Sequence, residues 1–434
     1  MYRAEQEGNM TEEQLTLWIW LSLCCTPASL TFGKLIAAFD TPQEIHGATD
    51  EEIAACIGTR SRDYTLLCNR DLTEARRIYA FCRKFSVGLL PYGDPHYPAS
   101  LAGSYAPPAL LYYRGTLPDF DKKFFAAVVG SRHMSDYGRR AAFHISCDLA
   151  RAGAVVVSGM ALGIDGVALA GALSAEAPTV AVIGSGIDVC YPPEHRTLAR
   201  EIVKRGVVMT EYPPGSPPNF YHFPARNRII AALSAATLVI EGTEKSGSLI
   251  TARHAKAEGR AVYALPGNVD SESSGVTTLL LKDGARVLTS ADDVIRDFEY
   301  LYPGELNPFR LSEPFSVRSD EFLRRLGVGG GQKRPSFFRR KEKAAPDGFG
   351  ASFDGTPAQD TENTGDAERI ARLASLGETA KTLYDRLPET GDCPIESLIG
   401  EDMPLRDVTK TLLRLEIAGL VDMLPGERVA RKHS

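Results

Sequence analysis

The chain has 434 residues, too many for one ordinary hydrophobic core, so two to four domains are expected. Its apolar and charged fractions are those of a globular protein. No apolar run reaches the roughly 20 residues of a membrane-spanning helix, and the start MYRAEQEGNMTEE lacks a signal peptide's apolar core, which together exclude a membrane protein and predict a cytoplasmic one. A net charge of −6 repels phosphate at long range, so any nucleic-acid site must be a local basic patch.

From Glu12 to about Phe85 apolar residues recur at helical spacing: Leu15, Leu17, Trp18 and Leu21, then Leu30, Leu35, Ile36 and Phe39. Thr26-Pro27 and Asp40-Thr41-Pro42 break the pattern where helices stop and start. Residues 1–90 are therefore predicted to form a helical domain of four or five short helices. Its Ile57-Gly58-Thr59-Arg60 turn resembles a SAM or helix-hairpin-helix module, whose backbone amides can hold a phosphate. An ordinary packing turn is the competing reading.

The rhythm changes at Phe124. Apolar, β-rich runs at 124–129, 154–157, 179–183, 206–209, 236–240, 261–265 and 285–288 alternate with helix-length segments. Near-continuous apolar strands separated by helices are buried on both faces, which predicts a Rossmann-like, doubly wound, mostly parallel α/β sheet in a domain spanning 91–300. Residues 301–374, rich in Pro, Gly and Ser, read as a disordered linker, basic at 331–343 (GQKRPSFFRRKEK) and acidic at 344–368. In 375–434, three helical stretches precede two short strands around Pro425-Gly426, the plan of a winged helix, with Arg406, Lys410 and Arg414 on its third helix. DNA binding and a protein-contact role are equally open for it.

Chemistry concentrates in the turns after the strands: Gly130-Ser131-Arg132, Ser158-Gly159 through Asp165, Gly184-Ser185-Gly186, Ser246-Gly247-Ser248 and Pro266-Gly267-Asn268. In a parallel sheet these turns share the carboxyl edge, where open α/β sheets bind ligands. Small residues there let helix-start amides approach an anion. The segment Phe220 to Ile230 adds aromatics, Arg226, Asn227 and Arg228: rings to stack on unpaired bases and arginines to neutralise phosphate. Its arginines could alternatively brace the helix start by pairing with Glu211 or Glu241. Arg132, Arg139 and Arg140 extend the basic mouth.

No cofactor is expected. Gly184-Ser185-Gly186 lacks the third glycine of G-x-G-x-x-G, and no Walker loop with its lysine occurs. The eight cysteines have no C-x-x-C pair, which argues against zinc and against a disulfide framework. Ser158 fails the nucleophile-elbow pattern, and His144, His195, His222 and His254 lack partnered spacing, so the chain is read as no enzyme. Asp165 and Glu241, at strand ends, are the remaining acid–base candidates.

The runs SGMALGID, AVIGSGIDVCYPPEH, TEYPPGSPPNFYHFPARNRIIAALS and EGTEKSGSLITARHAKAEGRAVYALPGNV, with Tyr97-Pro98 and Pro107-Pro108 before them, closely resemble the DprA (Smf) family of DNA-processing proteins over residues 91–290. The resemblance implies a protein that binds and protects single-stranded DNA, loads the RecA recombinase during natural transformation or recombination, and dimerises through the α/β domain. It places the contacts on Gly130, Ser131, Arg132, Ser158, Gly159, Phe223, Arg226, Asn227, Arg228, Ser246, Gly247 and Ser248. Two positions depart from the family pattern: Leu169 stands where His follows Ala, and Thr277 stands for Asn. The competing readings are a nucleotide-cleaving phosphoribohydrolase of the lysine-decarboxylase-like group, whose P-G-G-x-G-T-x-x-E run is missing here, and a scaffold that recruits partners.

Overall fold

The computed structural model describes residues 10–312, 319–328, 378–388, 392–398, 420–424 and 428–431, with positions 408, 411, 412 and 415 besides. It divides into two compact units, Met1–Ser352 and Phe353–Ser434.

Six helices open the first unit: α1 (Glu12–Cys24), α2 (Thr31–Phe39), α3 (Pro42–Gly47), α4 (Asp50–Ile57), α5 (Arg62–Cys68) and α6 (Thr73–Lys84). Hydroxyl N-caps start four of them. Thr11 and Thr49 each form a capping box, with Gln14 and Glu52, while Thr41 and Ser61 cap α3 and α5. Thr16 to Leu21 of α1 are all buried, and Trp18, Leu35, Ile45, Ile53, Leu67 and Ile78 belong to the same apolar cluster as Phe124, Ala126 and Val128 of the sheet. The helices therefore share the core of the α/β region.

The sheet has nine strands in the order β1 (Gly88–Pro91), β2 (Leu110–Gly115), β6 (Val207–Thr210), β5 (Thr179–Val182), β4 (Val155–Ser158), β3 (Phe125–Val129), β7 (Ala236–Val239), β8 (Ala261–Ala264) and β9 (Arg286–Val287). The seven expected strands are β3 to β9, all parallel. An antiparallel pair, β1 and β2, extends the sheet beyond β6. Strand residues alternate strictly between two cores: Phe125, Ala127 and Val129 pack on one face, Ala126 and Val128 on the other. From β3 the chain winds outward through β4, β5 and β6, then returns to place β7, β8 and β9 on the opposite side. The carboxyl ends of β3 and β7 thus flank the switch point. Crossover helices α8 (Asp136–Arg151), α9 (Ile164–Ser174), α10 (Arg196–Arg205), α11 (His222–Leu233), α12 (Gly247–Ala257) and α13 (Gly275–Lys282) link successive strands, α7 (Ala99–Ala102) lies between β1 and β2, and α14 (Ala291–Phe298) follows β9.

Part of the stretch assigned to the linker is ordered. A 3₁₀ turn spans Pro308–Ser312 and a helix, α15, spans Ser319–Arg325; Leu306, Leu323, Leu326 and Val328 are buried in the main core. Average composition hid these four anchors, which are spaced among polar residues. The basic 331–343 and acidic 344–368 runs lie outside the described residues.

In the second unit a helix, Glu378–Asp385, precedes a three-stranded antiparallel sheet in the order β10 (Asp392–Pro394), β12 (Arg428–Arg431), β11 (Val421–Leu424). The stretch expected as its second helix is a 3₁₀ turn, Ile395–Leu398. Val408, Leu412 and Leu415 are buried at helical spacing with Leu383 and Val429. Arg406, Lys410 and Arg414 lie outside the described residues. Among the described residues no helix is long and apolar enough to cross a membrane, and no cluster of His, Cys, Asp or Glu could hold a metal ion.

Candidate functional site

The carboxyl rim is built from turns that press on one another. Gly163, at φ 79°, ends the loop after β4, and a Cβ there would lie 2.2 Å from the Ser131 carbonyl oxygen, so only glycine lets this turn seat against the β3 turn. A side chain on Gly130 would meet Ile164 in the same way. Ser131 is folded onto its own turn, its Oγ donating to the His133 carbonyl at 2.8 Å and accepting from the His133 amide at 3.0 Å. Arg132 projects from this turn, exposed, with its guanidinium 5.1 Å from the Phe223 ring centroid, a cation–π contact.

Arg226 sits beneath. Only 3% exposed, it donates from Nη1 to the Gly159 carbonyl at 2.6 Å and to the Val182 carbonyl, and from Nε to Asn227 Oδ1 at 3.1 Å. It ties together the ends of β4 and β5. Burial pulls its pKa down to about 10, opposed by the nearby Asp165 carboxylate. Burial raises the Asp165 pKa in turn, against the pull of Arg226 and then Arg132. A Cβ on Gly159 would fall 2.5 Å from both Arg226 Nη2 and Asp165 Oδ2, so this glycine leaves room for the pair. Asn227 reaches the next turn, donating to the Gly247 carbonyl at 3.3 Å. Ser246 caps α12, accepting from the Ser248 amide at 3.3 Å, and Gly247 is exposed with open space beside its Cα.

The structure therefore gathers Gly130, Ser131, Arg132, Gly159, Phe223, Arg226, Asn227, Ser246, Gly247 and Ser248 at one rim. It separates two expected contacts from it. Ser158 is fully buried inside the sheet, its Oγ donating to the Val128 carbonyl at 2.6 Å. Arg228 is also buried, donating to the Ala106 carbonyl at 2.9 Å, the Ala225 carbonyl at 3.0 Å and Glu211 Oε1 at 2.6 Å. The expectation that Arg226 and Arg228 neutralise phosphates is thus corrected: the bracing alternative holds for Arg228 with Glu211, and Arg226 is spent on carbonyls. Two residues apart on a helix lie about 200° apart, so the pair grips different surroundings, and α11 is buried at both positions. Arg139 pairs with Asp136 at 3.5 Å and with Asp320, whereas Arg140 is exposed. Lys245, exposed in the β7–α12 turn, is a cation at this rim that the sequence reading passed over, because it lacks a patterned partner.

Glu241, at the end of β7, fills the position where a doubly wound sheet commonly takes a nucleotide phosphate. Its carboxylate accepts from the Ser135 amide at 2.8 Å and from Ser135 Oγ at 2.7 Å, at the start of α8, the helix that follows β3. It is 3% exposed, and burial raises its pKa against those two bonds. Fixed in this way, it is a helix-start ligand. The buried His195 and half-buried His222 are likewise tied to carbonyls, of Met160 at 3.0 Å and Gly184 at 3.1 Å.

Comparison with known proteins agrees with this architecture. Residues 88–299 match the family model described as DNA recombination-mediator protein A. The DNA processing protein DprA of Streptococcus pneumoniae is 42% identical over 207 residues, 48% of this chain and 73% of that one. The DNA processing protein DprA of Bacillus subtilis is 37% identical over 221 residues, covering 51% and 74%. The X-ray structure of the Streptococcus pneumoniae protein aligns with TM-score 0.58 at 33% identity, over 67% of this chain and 99% of that one.

Proposed function

Because the chain belongs to the DNA recombination-mediator protein A family, we propose that it binds single-stranded DNA along the carboxyl rim of its sheet, protects the strand and loads the RecA recombinase onto it in transformation or recombination, in the cytoplasm. The observation that carries the binding reading is Arg132: an exposed guanidinium held over Phe223 on a rim of small-residue turns, with Lys245 on a neighbouring turn. Small-residue turns beside exposed cations favour contact with the phosphate backbone, which suits a strand of arbitrary sequence. The contacts of this proposal are Gly130, Ser131, Arg132, Asn227, Ser246 and Gly247, floored by the buried Gly159, Phe223 and Ser248.

Three further parts belong to the proposal. A homodimer through the α/β domain is supported by apolar side chains left exposed on its last elements: Val287 on the edge strand β9 at 54%, Leu279 on α13 at 39% and Val269 in the loop after β8 at 96%. The N-terminal helices act as a SAM or helix-hairpin-helix-like accessory module. Residues 375–434 act as a winged helix, consistent with the buried helix and hairpin described there.

The test is binding of matched single- and double-stranded oligonucleotides across a salt series. Single strands should bind preferentially, with affinity falling as salt rises, and Arg132→Glu should abolish the binding while leaving the thermal midpoint in place. A folded Arg132→Glu protein with undiminished affinity would refute this site.

A further inference from the structure

We infer that Phe220 and Tyr221 form the surface on which the bases of an unpaired strand stack, while Arg132 holds the adjoining phosphate; the inference rests on the single-strand reading above. The two rings are 69% and 74% exposed. The rings beside them are occupied: Phe223 lies against Tyr191 at 5.7 Å and beneath Arg132, and His222 stacks on Tyr212 at 3.9 Å and 18°. Phe223 is 9% exposed, so the stacking role expected of it passes to its neighbours.

The exposed pair is held in place. The Tyr221 amide donates to Asn219 Oδ1 at 3.1 Å and the His222 amide donates to the Asn219 carbonyl at 3.0 Å, closing a turn immediately before α11. The His222 ring, 3.1 Å from the Gly184 carbonyl, ties that turn to the end of β5. Phe220 and Tyr221 meet edge to face, with centroids 6.0 Å apart at 82°. Two adjacent large rings left in water forgo the burial that such side chains ordinarily gain. Flat π-faces suit such rings, and Arg132, held over the ring of Phe223 two residues beyond Tyr221, calls for negative charge beside them. An unpaired nucleic-acid strand carries both in alternation. A duplex hides its base faces, and an apolar protein surface would leave the cation unmatched.

The test uses the full chain and two labelled oligonucleotides of equal length and charge, one of thymidine and one abasic. Wild type should bind the thymidine strand roughly 5- to 100-fold more tightly than the abasic one. The double variant Phe220→Ala/Tyr221→Ala should lose that preference while keeping its affinity for the abasic strand and its thermal midpoint, and Phe220→Trp should retain the preference. A folded double variant that still prefers bases overturns the stacking assignment and leaves the single-strand reading intact. Equal binding of both strands by wild type has the same consequence. Binding of neither strand by wild type overturns both.

Discussion

Arg228 donates from Nη2 to Glu211 Oε1 at 2.6 Å, and only 6% and 11% of the two side chains are exposed. The second Glu211 oxygen has no hydrogen-bond partner, so the carboxylate depends on this arginine. Removing one member of a buried pair strands the other charge and costs about 3–5 kcal/mol, whereas removing both costs far less. Arg228→Met should therefore lower the urea midpoint severely, and adding Glu211→Leu should recover most of the loss. A single variant within about 0.5 kcal/mol of wild type would mean that the pair contributes nothing.

Arg132 is exposed over a ring whereas Arg226 is buried on carbonyls, and that difference predicts opposite phenotypes. Arg132→Gln removes an exposed cation, so stability should stay within about 0.5 kcal/mol, while the salt slope of single-strand binding should shrink by about 0.7. Arg226→Gln removes charge-assisted bonds to the Gly159 and Val182 carbonyls. It should cost on the order of 1.5–3 kcal/mol per bond lost and leave the salt slope of the folded fraction as it was. Denaturation and salt titration on both variants check this; a slope that falls with Arg226→Gln would return that residue to the phosphate contacts.

Glu241→Ala should empty the start of α8 of its own carboxylate. The Ser135 amide and hydroxyl then lose their acceptor, at a cost of roughly 1–3 kcal/mol. A mobile anion can replace the side chain, so inorganic phosphate should raise the thermal midpoint of the variant more than that of wild type, by mass action. Identical phosphate responses in the two proteins would show that Glu241 does not occupy an anion position.

How much of this was legible depended on burial. The seven parallel strands could be read because burial on both faces makes their sequences near-continuous apolar runs, as in Phe125 to Val129. The antiparallel β1 and β2 escaped because each is buried over only part of its length, β1 ending in Pro91 and β2 running out through Arg114 and Gly115, so neither is a continuous apolar run. Leu306, Leu323, Leu326 and Val328 were lost in a polar average. The rim itself was visible as small residues following strands. What the residue string does not carry is which arginine faces inward: Arg226 and Arg228 look like surface cations until the helix that bears them proves buried, whereas Arg132, in the turn after β3, stays exposed.

That same inward packing sets a pH dependence. His195 is 1% exposed, and burial holds its pKa below the ordinary 6.5, as it does for His222. A base with a depressed pKa in the fold binds fewer protons folded than unfolded between the two values, so stability rises with pH across that window. Its contribution is complete above 6.5 and is lost as pH falls from there toward the folded value. Asp165 and Glu241 act in the opposite sense: burial raises their folded pKa values, so their contribution grows as pH falls through those values. The difference between wild type and His195→Asn isolates the histidine, because both proteins keep the same carboxyls. The denaturation midpoint of wild type should drop more steeply than that of His195→Asn below pH 6.5, and the two curves should run parallel above it. Curves that stay parallel down the acid limb would mean that His195 carries its proton in the folded protein as readily as in the unfolded chain.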